Sequence, residues 1–104
     1  MRTRCDATLR VEATHPALSG HFPGSPMVPG VVVLDLVLQA AEKQLGASLA
    51  VSGLQQAKFA APLLPGTDAE VIIHLDQDRM RFQVEQSGRT IAQGCFTLKN
   101  MEGA

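Results

Sequence analysis

Gly20-His21-Phe22-Pro23-Gly24-Ser25-Pro26-Met27-Val28-Pro29-Gly30-Val31-Val32-Val33-Leu34-Asp35-Leu36-Val37-Leu38-Gln39 is the stretch on which the reading of this chain turns. A histidine sits in a loop stiffened by Pro23, Pro26 and Pro29, and the loop feeds a nearly continuous apolar run. Proline fixes φ and is favoured at the first turn of a helix, so Pro29 marks a helix start. Gly30 lets the backbone approach whatever binds there. The run predicts a helix over 30–45 that stops at Gly46, a natural C-terminal signal, with Glu42, Lys43 and Gln44 turned to solvent. A helix apolar almost all round is expected to be buried, and burying a carboxylate is costly. Asp35 therefore needs a reason to be there, and His21 is its obvious partner.

Outward from that helix the pattern changes to period two. Residues 7–13 alternate well enough to predict a strand, and residues 14–29 hold four of the six prolines, which predicts an ordered loop. Further strands are expected at 49–61, 69–76, 80–86 and 90–98, divided by turn chemistry at 65–68, 76–79 and 87–89. Val71, Ile73 and Leu75 alternate with Glu70, Ile72 and His74, and Phe82 and Val84 with Arg81, Gln83 and Glu85. Short turns between such strands make an antiparallel meander, with one long helix to cover its inner face. The expected fold class is α+β: an antiparallel sheet wrapped around one central helix, in a single domain spanning 1–104.

Composition limits what the chain does. Its 104 residues leave no room for a second core, and 45% hydrophobic with 18% charged residues fits a globular protein. A net charge of −1 argues against nucleic acid as the main partner. Cys5 and Cys95 form no metal-ligand spacing, and a reduced pair is the economical reading. No signal-peptide core opens the chain and no apolar run reaches membrane-spanning length, so the expected location is the cytoplasm. The apolar helix in so small a chain points to oligomerisation.

The segment from Gly20 to Val31 resembles the signature of hotdog-fold 3-hydroxyacyl-acyl-carrier-protein dehydratases. In that family an acid follows the histidine by fourteen residues on the central helix, as Asp35 follows His21 here, and a glutamine one turn later matches Gln39. Asp rather than Glu is similar to the dehydratase/isomerase branch. Downstream, Lys58-Phe59-Ala60-Ala61-Pro62-Leu63-Leu64-Pro65-Gly66-Thr67 looks like the family's strand and turn after the helix. Two departures stand out: twenty residues precede His21 where typical members have a longer region, and Leu34 and Leu36 flank Asp35, with Val37 and Leu38 following, where relatives often have Ala and Met near the acid. The first implies a short or shallow acyl pocket walled by Leu34, Leu38 and the strand of Phe59.

The resemblance implies loss of water from a 3-hydroxyacyl thioester to give the trans-2-enoyl thioester, with no metal and no cofactor. Its handle is acyl carrier protein or coenzyme A, in fatty acid or related polyketide or polyene biosynthesis. The reaction needs a base for the C2 proton, which suits histidine near neutral pH. The developing enolate needs a donor, which the Gly30 N–H at the positive end of the helix is placed to supply. Hydroxide leaves only if protonated, and a carboxyl group kept protonated by burial donates that proton. His21 and Asp35 are thus the catalytic candidates, and Gly30 and Gln39 the substrate-binding ones, Gln39 holding Asp35 from one turn on. The family splits the histidine and the acid between two chains, which implies a homodimer or a higher oligomer.

Blander readings stand beside these. His21 as a carbonyl-bonded loop residue, Asp35 as a buried polar contact of Gln39, and Gly30 as a turn glycine are all chemically ordinary. His15 and His74 receive no role; Arg79, Arg81 and Lys58 facing an acidic carrier competes with plain solvation. Ser19 and Ser25 lack the surroundings of a hydrolase triad. A hotdog thioesterase, which would release a free acid, and a non-catalytic acyl-binding subunit are the alternative functions.

Overall fold

A computed structural model describes residues 3–12 and 28–99. Its elements run β1 (Thr3–Leu9), α1 (Gly30–Leu45), β2 (Val51–Phe59), β3 (Ala69–Leu75), β4 (Arg79–Gln86) and β5 (Arg89–Leu98). The strands form one antiparallel five-stranded sheet in the order β1-β3-β4-β5-β2, and α1 lies across it, chiefly over β1 and β3. This is the α+β arrangement the sequence implies.

The helix begins and ends where expected. Pro29 is its N-cap, and its carbonyl accepts from Val32 and Val33 N–H at 3.0 and 3.2 Å. Gly46 closes it with φ 69°, a left-handed conformation that costs glycine little, and donates to Glu42 O at 2.9 Å. Lys43 in the last turn complements the helix dipole. The Glu42 carboxylate accepts from Leu49 N–H at 2.8 Å, tying the helix end to the approach of β2.

One stripe of α1, Val33, Val37 and Ala41, is buried in the chain's own core. Spaced by four residues, it is a single helical face. It packs on the inward residues of the sheet: Val71 and Ile73 of β3, Met80, Phe82 and Val84 of β4, and Ile91, Ala92 and Phe96 of β5. The rings of Phe82 and Phe96 lie 5.4 Å apart, tilted by 33°.

Two expectations need correction. The first strand is Thr3–Leu9, not 7–13, because Leu9 pairs with Ala69, where β3 itself starts. Beyond that pair the described residues give it no ladder partner; Val11 stays buried and its carbonyl instead accepts from Gly66 N–H at 2.7 Å. Nor is α1 buried all round: Val31 is 73% exposed, and Asp35 and Gln39 are exposed beside it. The ordered loop expected at 14–29 lies, except for Val28 and Pro29, outside the described residues.

Cys5 and Cys95 are both free thiols, on opposite faces of the sheet: Cys5 pairs with the buried Ile73, Cys95 with the exposed Arg81.

Candidate active site

Asp35 stands on the helix face opposite the buried stripe. Val33 and Asp35 are two residues, about 200°, apart around α1, so a helix that buries Val33 in its own sheet turns Asp35 outward. Its Oδ2 accepts a hydrogen bond from Gln39 Nε2 at 2.7 Å, the spacing of one helical turn. Val31, Asp35 and Gln39 form a continuous exposed stripe. The periodicity that builds the core therefore points this carboxyl away from it, so the burial expected for Asp35 does not come from its own sheet.

The helix N-terminus supplies the second component. The first N–H groups of a helix have no intrahelical acceptor, and among the described residues the N–H groups of Gly30 and Val31 meet none. Gly30 is also a point of close approach. A Cβ placed on it would lie 3.0 to 3.3 Å from three ring carbons of Phe59, so any larger residue would make the ring draw back from the backbone.

From that contact an apolar cleft of 450 Å³ runs along Val28, Gly30, Val33, Phe59, Pro62, Leu63 and Ile91. Phe59 remains 46% exposed although it forms one wall. Leu34 and Leu38, expected in the wall, do not line this cleft. The opposite wall is held by a residue to which sequence reasoning gave no role. Gln86 is 4% exposed, and its amide accepts from Leu64 N–H at 2.8 Å and donates to the carbonyls of Leu64 and Thr67, each at 3.0 Å. Alternation with Phe82 and Val84 places Gln86 on the inward face of β4, but no local pattern names the turn at Leu64–Thr67 as its partner. His21 lies outside the described residues.

The chain's residues 1–95 match the model of the ApeI-like family, the ApeI dehydratases. The chain belongs to the ApeI-like dehydratase family. This ApeI-like chain is 31% identical over 81 residues to the 3-hydroxyacyl-(acyl-carrier-protein) dehydratase FabZ of Haemophilus influenzae, covering 70% of this chain and 55% of that one. It spans about half the length of the curated relatives it matches. Among solved structures, a chain of the dehydratase heterocomplex ApeI:P from Xenorhabdus doucetiae superposes with a TM-score of 0.79 at 28% identity, over 94% of this chain and 93% of that one. An uncharacterized protein from Erwinia carotovora superposes at 0.82 with 24% identity, over 96% and 86%, which speaks to fold alone. The ApeI-like chain has the hotdog fold implied by its sequence. Among its described residues no helix is long and apolar enough to cross a membrane, and no group of three or more His, Cys, Asp or Glu is placed to hold a metal ion.

Proposed function

We propose that this chain removes water from a 3-hydroxyacyl thioester, carried by acyl carrier protein or coenzyme A, to give the trans-2-enoyl thioester in fatty acid or polyketide-type biosynthesis. The observation that carries the proposal is the braced Asp35 carboxyl, turned out from the core on the same helix whose first N–H groups, without an acceptor among the described residues, stand at an apolar cleft. The ApeI-like family and the FabZ relatives support the reaction class.

In this reading His21 takes the C2 proton as base. The electron pair moves onto the thioester carbonyl, whose oxygen accepts from the Gly30 N–H, where the helix dipole favours negative charge. The pair then returns to form the C2–C3 double bond, the C3–O bond breaks, and the oxygen leaves as water with a proton from Asp35. One proton passes from His21 to Asp35 to close the cycle. Gln39 fixes the carboxyl, so that one oxygen stays bonded while the other is turned to substrate.

A carboxyl so exposed within one chain becomes a proton donor at neutral pH only if something else covers it. We infer that a second hotdog chain does so, a second copy in the simplest case, bringing its own His21 to this Asp35. The exposed Val31 and Phe59 support such a covering surface. The X. doucetiae relative was solved as a heterocomplex, so the assembly's mass is part of the test. The experiment is incubation with 3-hydroxyacyl carrier protein and mass analysis of the acyl group. Loss of one water supports the reading; a free acid, as a thioesterase makes, or unchanged substrate with the assembled protein refutes it.

A further inference from the structure

On the sheet face turned away from α1, the register aligns one residue from each strand in a straight row: Arg4, His74, Arg81, Cys95 and Gln56. The alternate residues of β3 and β4, Ile73, Met80 and Phe82, are buried beneath it, so the row faces outward. Arg79 sits two residues before Arg81 on the same face of β4. Neighbouring strands lie about 4.8 Å apart and same-face residues about 6.6 Å along a strand. The guanidiniums of Arg79 and Arg81 and the imidazole of His74 therefore rise from a triangle small enough to converge on one small anion.

These three residues line a 510 Å³ cleft with the amides of Gln56, Gln83 and Gln93. That volume is within the usual range for a small-molecule site. Arg4 faces His74 and His74 faces Arg81, so three basic side chains follow one another across neighbouring strands. Arg4 has Asp6 as its partner at 3.3 Å. Arg79 and Arg81 have no carboxylate within salt-bridge distance among the described residues. Asp76 lines an adjoining 260 Å³ hollow with the same three basic residues. Glu70 and Glu85 face each other toward the other end of the strands.

An isolated exposed cation is ordinarily only solvated. Here two guanidiniums, with no carboxylate in salt-bridge distance among the described residues, share a concavity with an imidazole and neutral amide donors. Arginine forks match phosphate oxygens bidentately, with short, charge-assisted hydrogen bonds. We propose that this cleft binds a phosphate group, with Arg79 and Arg81 as the charged donors, His74 as the third and the glutamine amides completing the shell. The site lies across the sheet from α1 and Asp35 and does not depend on the dehydration proposed above.

A free phosphate and the phosphates of coenzyme A share this chemistry. Orthophosphate, pyrophosphate and coenzyme A are titrated separately into isotope-labelled full-length protein, following the His74, Arg81 and Gln93 resonances, a readout that needs no turnover. Saturable shifts are expected with at least one, and the Arg79→Gln/Arg81→Gln pair is expected to weaken that binding by about tenfold or more. Lys58→Gln, an exposed cation one row away, leaves it unchanged. Saturation by coenzyme A alone assigns the site to a thioester handle, and saturation by the inorganic ions to a free effector. Arg81→Lys, which keeps the charge and loses the fork, serves if the double variant does not fold, and is expected to weaken binding too. No saturable shift with any of the three, or equal binding by the variants, overturns the proposal.

Discussion

Gly30→Ala is the substitution in which steric fit and chemistry separate most cleanly. The new Cβ would meet Phe59 ring carbons at 3.0 to 3.3 Å, whereas carbon atoms pack best at about 3.5–4.0 Å. The ring must therefore retreat by about 0.5 Å. Phe59 is 46% exposed at the end of an edge strand, so it can retreat without dragging the core. Overpacking of a rigid core costs about 1–3 kcal/mol, and this half-open site belongs at the low end. Replacing glycine in a helix returns up to ~1 kcal/mol, less at its first residue, so urea denaturation should show a net change within about 1 kcal/mol. Turnover should suffer more. A ~1 Å misplacement near reacting groups costs ~10²-fold, so a shift of half that size predicts about a tenfold fall in kcat/KM. The added Phe59→Ala change removes the clash and should recover part of that loss, giving a non-additive double-mutant cycle. Unchanged turnover in Gly30→Ala, or strictly additive effects with Phe59→Ala, would refute the account of Phe59 resting on the helix N-terminus.

His21→Ala and Asp35→Asn should each lower dehydration by at least ~10²-fold with the fold retained by circular dichroism, and mixing the two variants should restore part of it; no recovery on mixing would sink the two-chain site. Gln86→Leu leaves three backbone groups of Leu64 and Thr67 without their buried partner. Water reaches part of that exposed turn, so the cost should be about 2–4 kcal/mol. At about 4–8 °C per kcal/mol in a domain of this size, that is a fall in Tm of about 8 °C or more, and a change under 3 °C would show that the turn holds itself. Burial, and secondarily the charge of Asp6, raise the Cys5 thiol above its ordinary value. Less of it is thiolate at mildly alkaline pH, so Cys5 should alkylate more slowly in the folded protein than after denaturation; equal rates, read by peptide mass analysis, would contradict that placement.

The sequence by itself determined the helix and most of the strands. Pro29 and Gly46 bracket α1 because one fits a first turn and the other the left-handed exit, both local properties. Alternation in β3 and β4 survives in the structure because each of those strands lies between two neighbours and buries one face. The spacing of Asp35 to Gln39 likewise made their hydrogen bond legible in advance, since helical geometry alone brings them together. What tertiary structure decided was everything that depends on which face meets the sheet. The apolar run around Asp35 reads the same whichever side is buried. Only packing Val33, Val37 and Ala41 on the sheet turned the carboxyl outward. The start of β3 at Ala69 likewise ended β1 at Leu9. Gln86, far in sequence from Leu64, and the row that joins His74 to Arg81 and Gln56 come from strand register, a long-range property that no local spacing encodes.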